Sequence, residues 1–288
     1  MRRRTVFRMC PYRLPTAAVA LSLAVSAAPA QQTLREVGRT TENEISAILS
    51  CPHGSLRIAR GDPAKVVVVT AEEGSQDLPI ALSYVIRNRV GYLEASLGVE
   101  ELEGGAAFQR GSWTLGFPDE LPLRLDVELG FGSGTFDLSG LPIKDLNISS
   151  GAGDLTIDFA TVNPVVVDNI TIEAGVSTFA GRRLGNANFR QLRFQGGVGA
   201  YTLDFSGELT GETAVEAEVG LGMLTIIVPE AIGARVQFDR NWISNLDLAP
   251  DFTDTGENEF TSANFDHALG RITFRLDASL ANVRIQRP

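Results

Sequence analysis

The chain has 288 residues and a formal net charge of −10, from 35 acidic and 25 basic side chains. This acidic balance argues against nucleic acid as a partner, because phosphates select for basic surfaces. Cysteine and histidine are scarce, with Cys10, Cys51, His53 and His267 in the whole chain. Only Cys51 and His53 lie close together in sequence, and two ligands fall short of the four of a structural zinc site, so we predict neither a metal nor a cofactor.

The first 30 residues read as basic, then apolar, then small. They hold five arginines up to position 13, an apolar run over 14–25, and the triplet Ala28-Pro29-Ala30. This layout predicts a cleaved signal peptide at 1–30. A transmembrane anchor is disfavoured because the apolar run is shorter than the roughly 20 residues that a bilayer span needs. Removing five arginines and no acid moves the charge from −10 to −15. We expect an exported protein, periplasmic or extracellular, with one domain at 31–288 and no transmembrane segment after cleavage.

Residues 40–120 contain strand-like runs at irregular spacing, such as KVVVVTAE, ALSYVI, GYLEAS and SWTLGF. These runs are short and rich in β-branched and aromatic residues, which is typical of strands. The run CPHGSLRIARG can be aligned with the repeat that follows, with Leu56 and Ile58 facing inward and Gly54 at a bend. We therefore predict irregular outer rungs over 40–120, with this run as the first rung.

A repeat of 21–24 residues occupies 121–230. Each copy has a stretch of small residues between two alternating segments, as in GFGSGTFDL and GAGDLTIDF. We predict a structural bend at each stretch, and Ser177 takes the second bend position of the third copy. The predicted bend glycines are Gly130, Gly132, Gly151, Gly153, Gly175, Gly197, Gly199, Gly220 and Gly222.

Alternation after each bend predicts which side chains face the core. In the second copy Leu155 and Ile157 face inward, whereas Thr156 and Asp158 face outward. Because the same phase recurs in every copy, we predict a single-stranded parallel β-solenoid whose coils stack about 4.8 Å apart. A residue without a Cβ then suits a bend where backbones pack tightly or φ is positive.

The third copy departs from this pattern, because Gly181 and Arg183 occupy inward positions. We expect a local irregularity there. The alignment also places Arg182 between Asp158 and Asp204 on the outward face, where opposite charges on neighbouring strands attract each other.

Residues 231–288 are predicted to hold a cap loop and the last rungs. DASLANVRIQ fits the final rung, with Val283 and Ile285 inward and Ala281 at the bend. The stretch from Asp239 to His267 breaks the repeat. We favour a cap that shields the last strand edge, as solenoids require; the alternative is a partner-binding loop with aromatic anchors. The aromatic residues of this stretch are Trp242, Phe252, Phe260 and Phe265.

The segment LPLRLDVELGFGSGTFDLSGLPIKDLNISSGAGDLTIDF, from Leu121 to Phe159, resembles the toast-rack domain family. That family is related to LiaF-like cell-envelope proteins and to adhesin-like proteins with β-solenoid repeats. GVGAYTLDF and RITFRLDASLANVRI are similar to the end of its pattern, although Ser279 and Ala281 stand where glycines are usual. The resemblance implies an all-β envelope protein, and it implies a role in sensing or modulating envelope stress.

The Gly-x-Gly stretches do not indicate nucleotide sites, since no helix pattern follows them. No motif of a nucleophilic or metal-assisted enzyme is present, so we predict no catalytic residues and a non-enzymatic binding or scaffolding role. Its partner would be an unknown envelope protein or polymer, which meets an outward face of threonines and aspartates. The alternatives are an adhesin-like surface protein and a carbohydrate-active solenoid enzyme. An enzyme should show a cleft with two carboxylates and a basic neighbour.

Overall fold

The computed structural model describes residues 33–72, 74–75, 77–98, 111–239 and 245–288. The predicted signal peptide and Trp242 lie outside these ranges. Residues from Gln31 to the end form one compact unit. Its described part is almost all strand, with a short 3-10 turn at Leu184–Ala187 and no α-helix. The predicted all-β class is therefore confirmed.

The sixteen strands of the described residues form one sheet. Seven of them are long, with 15 to 17 residues each. In chain order the strands are β1 (Thr33–Gly38), β2 (Glu44–Arg60), β3 (Lys65–Ala71), β4 (Ile80–Arg87), β5 (Val90–Leu97), β6 (Gly111–Phe117), β7 (Leu123–Asp137), β8 (Ile143–Asp158), β9 (Val167–Arg182), β10 (Phe189–Asp204), β11 (Gly211–Ile227), β12 (Gly233–Asp239), β13 (Asn245–Leu248), β14 (Phe252–Gly256), β15 (Glu259–Ser262) and β16 (Gly270–Gln286).

The long strands lie side by side in the order β2, β7, β8, β9, β10, β11 and β16, and every neighbouring pair is parallel. Equivalent positions of the repeat face each other: Gly132 pairs with Gly153 and Thr135 with Thr156. The parallel stacking and the register predicted from the repeat are thus confirmed. Each unit predicted as two strands joined by a bend is one continuous strand. Residues at the first bend position, such as Gly130, are left out of the pairing with the neighbouring strand.

Both arms of each bent strand bury alternate side chains in the same core. In β7, Leu129 is buried before the bend and Phe136 after it. A Cβ on Gly134 would lie 2.8 Å from Leu129 Cδ1, so the two arms face each other. Phe194 of one arm of β10 packs edge-on against Tyr201 of the other, with ring centroids 5.1 Å apart. Burial of this apolar interior is the main stabilising contribution.

The outer rungs differ from the prediction in their order. Beyond β2, β5 pairs with its first arm and β6 with its second arm. Beyond β16, β12 and β13 pair with its two arms in the same way. The runs predicted as first and last rungs therefore have the predicted bends, but they are not the outermost rungs. Long insertions return to the sheet outside them.

The expected irregularity of the third copy is present just after β9. Arg183 and Asn188 both have left-handed backbone conformations and flank the 3-10 turn. Gly181 is buried, while Arg183 turns its side chain to Asp158. The turn lets the chain continue into β10 without placing the guanidinium in the core.

Candidate binding surface

The second bend glycines lie where neighbouring backbones come closest. Gly132 and Gly153 have φ values of +149° and +136°. A Cβ on Gly153 would lie 1.7 Å from the carbonyl oxygen of Gly132. A Cβ on Gly132 would lie 1.7 Å from the carbonyl oxygen of Gly54. No side chain fits there. Gly199 and Gly222 have the same kind of contact, at 1.8 and 1.9 Å from the carbonyl oxygens of Ser177 and Gly199.

The first bend glycines also stack backbone on backbone. A Cβ at any of these positions would lie 2.2 to 2.7 Å from a carbonyl oxygen of the preceding rung; the positions are Gly130, Gly151, Gly175, Gly197 and Gly220. The repeat glycines therefore meet another rung of the same protein. This geometry accounts for the Gly-x-Gly stretches without a ligand.

Between the two bend positions stands a column of outward side chains, which we call the bend ridge. It is paired rung by rung along the seven long strands. Phe131 is 65% exposed and Val176 62% exposed. The imidazole ring of His53 stacks on Phe131, with ring centroids 5.8 Å apart. The members of the bend ridge are His53, Phe131, Ala152, Val176, Val198, Leu221 and Leu280.

The sequence pattern contains the bend ridge as an outward column, which a prediction of inward columns alone does not include. Its signal is an apolar residue directly after the first bend position, as in Phe131 of GFGSG and Val198 of GVGAY. Strand periodicity expects a polar residue at an outward position. An apolar side chain that recurs there in most copies is the informative exception.

A shallow groove of about 410 Å³ runs beside the bend ridge, across β9, β10, β11 and β16. Its wall is the outward column two residues before the first bend position, where Glu173, Gln195, Glu218 and Asp277 succeed one another. Three of the four carry a carboxylate. Gln195 donates a hydrogen bond to Glu218 across 3.4 Å. The bend ridge thus has an acidic flank.

The predicted face of threonines and aspartates has a different character. Its register is as predicted, with Thr202 beside Thr225. Its aspartates, however, serve local structure: Asp137 accepts a hydrogen bond from the Ser139 amide and Asp204 from the Ser206 amide. Asp158 forms its ion pair with Arg183, and not with the predicted Arg182. These carboxylates terminate strands.

Three aromatic residues between β12 and β16 lie within the described ranges, and they pack against the protein. Phe265 is buried, and Phe252 and Phe260 are partly buried against the core. The guanidinium of Arg235 lies 4.2 Å from the ring centre of Phe265. β13 covers the second arm of β16, while the β14–β15 hairpin continues the sheet from β12. These three rings therefore pack against the core and are not exposed anchors.

A second groove, of about 230 Å³, lies on the outward face of β2, β7 and β8. Arg124, Asp126 and Asp145 line it, with 3.5 Å between Arg124 Nη1 and Asp145 Oδ2. Burial raises the pKa of Asp145, and nearby Asp168 and Asp126 add to this against the attraction of Arg124. The groove therefore holds two carboxylates and a basic neighbour, the composition expected of a carbohydrate-active site.

The remaining candidate ligands do not converge. Within the described ranges, no group of three histidine, cysteine or acidic side chains could hold a metal ion. Cys51 is buried, and burial raises the pKa of its thiol to about 11. The described part of the chain also contains no helix long and apolar enough to cross a membrane.

A family model for the N-terminal domain of toast_rack matches residues 26–181 of this chain, more than half of its length. The chain belongs to this family. The toast_rack match confirms the resemblance seen in the repeat, and it ends within β9. The bend ridge runs on through β10, β11 and β16, beyond the matched toast_rack residues.

Three solved structures align with most of the chain at low identity. A "putative cell adhesion protein" from Clostridium sporogenes is 17% identical and covers 90% of this chain and 99% of its own, with a TM-score of 0.46. A "putative adhesin" from Parabacteroides merdae is 10% identical and covers 89% and 97%, with a TM-score of 0.36. A "putative lipid binding protein" from Parabacteroides distasonis is 11% identical and covers 89% and 97%, with a TM-score of 0.26. No curated protein matches the chain.

Proposed function

We propose that this protein is a non-enzymatic binding or scaffolding module of the cell envelope, and that the bend ridge is its docking surface. The observation that carries the proposal is the exposure of large apolar side chains in register along the stack. Monomeric proteins rarely leave a contiguous apolar surface uncovered, and such patches mark interaction sites. The proposal includes a role in the envelope-stress response, which the resemblance to the toast-rack family implies.

Recognition through a column differs from catalysis in its geometry. Catalysis needs a few perturbed groups held in a concave site. The bend ridge instead repeats one apolar position from rung to rung, and stacked repeats use such extended surfaces for binding. The aspartates of the outward threonine and aspartate face are engaged in turns and an ion pair. The bend ridge therefore supports binding without turnover, whereas the groove of Arg124, Asp126 and Asp145 is the place where the enzyme alternative has to be tested.

The proposal is tested with the protein from Gln31 onward, immobilised and exposed to envelope extract. A double variant, Val176→Ser with Val198→Ser, should lose retention of the bound component. The matched control is Val85→Ser with Ile86→Ser, which removes exposed apolar side chains from β4, away from the bends. Equal retention by both variants would contradict the role of the bend ridge.

Export is part of the same proposal and has its own test. The basic, apolar and small-residue order of 1–30 predicts cleavage after Ala30. Amino-terminal sequencing of the protein from a secreted or periplasmic fraction should therefore begin at Gln31. A chain recovered there with Met1 would show that this segment is not removed.

Two alternatives have separate readouts. An adhesin-like surface protein would hold whole cells or surfaces through the bend ridge, so the Val176→Ser/Val198→Ser variant would lose cell attachment. A carbohydrate-active enzyme would use the groove of Arg124, Asp126 and Asp145. Release of sugar fragments from envelope glycans, abolished by Asp145→Asn but not by the ridge variant, would favour the enzyme.

A further inference from the structure

We propose that the partner of the bend ridge is a peptide segment that combines apolar and basic side chains, held with its apolar side on the ridge and its basic side along the acidic groove. This inference rests on the proposed function and names the chemistry of the partner. Two independent features carry it: the length of the exposed apolar column and the sign of the charges beside it.

The bend ridge has the length of a short peptide. Seven rungs at about 4.8 Å give a ridge about 29 Å long. A helix of about 19 residues has that length. Along it the apolar members are exposed by 44% or more at Phe131, Val176, Val198, Leu221 and Leu280. Apolar side chains of a partner that cover this column would be removed from water along its whole length.

The charges beside the ridge are predominantly acidic. Glu173, Glu218 and Asp277 lie along the groove wall, and within the described residues none of them forms an ion pair. The arginines of the next outward column already have partners: Arg193 and Arg275 both contact Glu216. The two columns together hold four carboxylates against two arginines. This acidic excess favours association with a basic side chain of a partner and selects the sign of the partner's charge.

The same charges disfavour other occupants. A second copy of this chain would bring its own acidic column against the first, and like charges in an interface are costly. An anionic membrane surface carries the same sign. An uncharged polymer would leave the carboxylates desolvated without partners, which costs free energy.

The test uses three synthetic helical peptides of about 19 residues, the length that matches the ridge, and the protein from Gln31 onward. The first has leucines on one face and lysines beside it. The second keeps the lysines and replaces the leucines by serine, and the third keeps the leucines and replaces the lysines by glutamate. Only the leucine–lysine peptide should bind in calorimetry, and its affinity should fall as salt is raised. Loss of either feature should weaken binding by roughly tenfold or more.

Variants of the protein locate the binding. Val176→Ser with Val198→Ser should weaken the affinity for the leucine–lysine peptide by roughly tenfold. Glu218→Gln with Asp277→Asn should weaken this affinity by a similar factor and should also reduce the salt dependence of binding. The control for net charge is Glu94→Gln with Asp266→Asn, which removes two exposed carboxylates outside both grooves. This control should bind like the wild type. Circular dichroism melting of each variant checks that the fold is retained.

Several outcomes would overturn the inference. One is binding of the glutamate peptide as tight as that of the leucine–lysine peptide, and another is a loss of peptide affinity in the control variant equal to that of Glu218→Gln with Asp277→Asn. A third is self-association of the wild type through the ridge in sedimentation. The fourth is binding to neutral phosphatidylcholine vesicles without binding of any peptide. If the ridge variant still loses retention of an envelope component while no basic peptide binds, the proposed function stands and the chemistry of its partner is different. If neither result depends on the ridge, both fail.

Discussion

The carbonyl oxygen of Gly132 lies directly against the Cα of Gly153 on the next rung, so that a Cβ on Gly153 would be 1.7 Å away from it. Both residues have positive φ. The same contact recurs between Gly222 and Gly199. The close approach of a carbonyl oxygen to the next rung is therefore repeated along the stack, and the glycines allow the rungs to keep their spacing through the bend.

Gly153→Ala should destabilise the protein strongly, because it combines an unfavourable φ with overlap against a backbone atom that cannot move alone. We expect a loss of roughly 2–4 kcal/mol in the free energy of unfolding, measured by urea denaturation. The matched control is Gly38→Ala at the end of β1, where an added Cβ meets nothing within 4 Å. Similar losses in the two variants would contradict the close contact.

The ion pair between Arg183 and Asp158 predicts a difference between two adjacent arginines. Arg183→Ala should lower the free energy of unfolding by roughly 0.5–1 kcal/mol, the upper range for a partly exposed pair. Arg182→Ala should change it by a few tenths, since Arg182 is exposed. A double-mutant cycle with Asp158→Asn measures the coupling. Coupling to Arg182 in place of Arg183 would refute the observed pairing.

Cys51 should be unreactive in the folded protein. Its side chain is buried, and burial raises the pKa of the thiol to about 11, so the reactive thiolate is scarce at neutral pH. In the chain from Gln31 onward, an aromatic disulfide reagent at mildly alkaline pH should label the thiol only after denaturant is added. Thr178→Cys, at an exposed position, should give one rapidly labelled thiol. Rapid native labelling without that change would contradict the burial of Cys51.

Glu44 predicts an acid-dependent contribution to stability. Burial alone would raise its pKa, but hydrogen bonds from Lys144 and Arg124 outweigh this and hold the pKa below its ordinary value of 4.5. A lowered folded-state pKa stabilises the protein fully above the unfolded-state pKa, and the effect is lost as pH falls through the folded value. The destabilisation caused by Glu44→Gln should therefore shrink on acidification below pH 4.5. Urea unfolding at near-neutral pH and at lower pH measures this.

A control for the pH effect is Glu128→Gln on β7, at an exposed position. Its effect on the free energy of unfolding should stay small at both pH values. A destabilisation by Glu44→Gln that is unchanged or larger in acid would show that its carboxylate does not carry the effect.

The sequence by itself determined the bends, the parallel register and the inward columns. Alternation with a period of two residues within each strand, together with a repeat of constant phase between strands, predicts the positions of Gly153, Leu155 and Ile157. Both are local properties that stacking preserves, because each rung contacts only its neighbours. The bend ridge was readable from the same repeat, as an apolar residue at an outward position.

The order of the outer rungs and the partners of the polar side chains depend on the tertiary structure and could not be predicted from the sequence. β5 and β6 return outside β2, and β12 and β13 outside β16, through contacts between segments distant in sequence that no local pattern records. Likewise, the left-handed conformation of Arg183 brings its guanidinium to Asp158, although the repeat places Arg182 beside it. The acidic flank of the bend ridge also depends on stacking, because Glu173, Glu218 and Asp277 become one column only when β9, β11 and β16 are in one sheet.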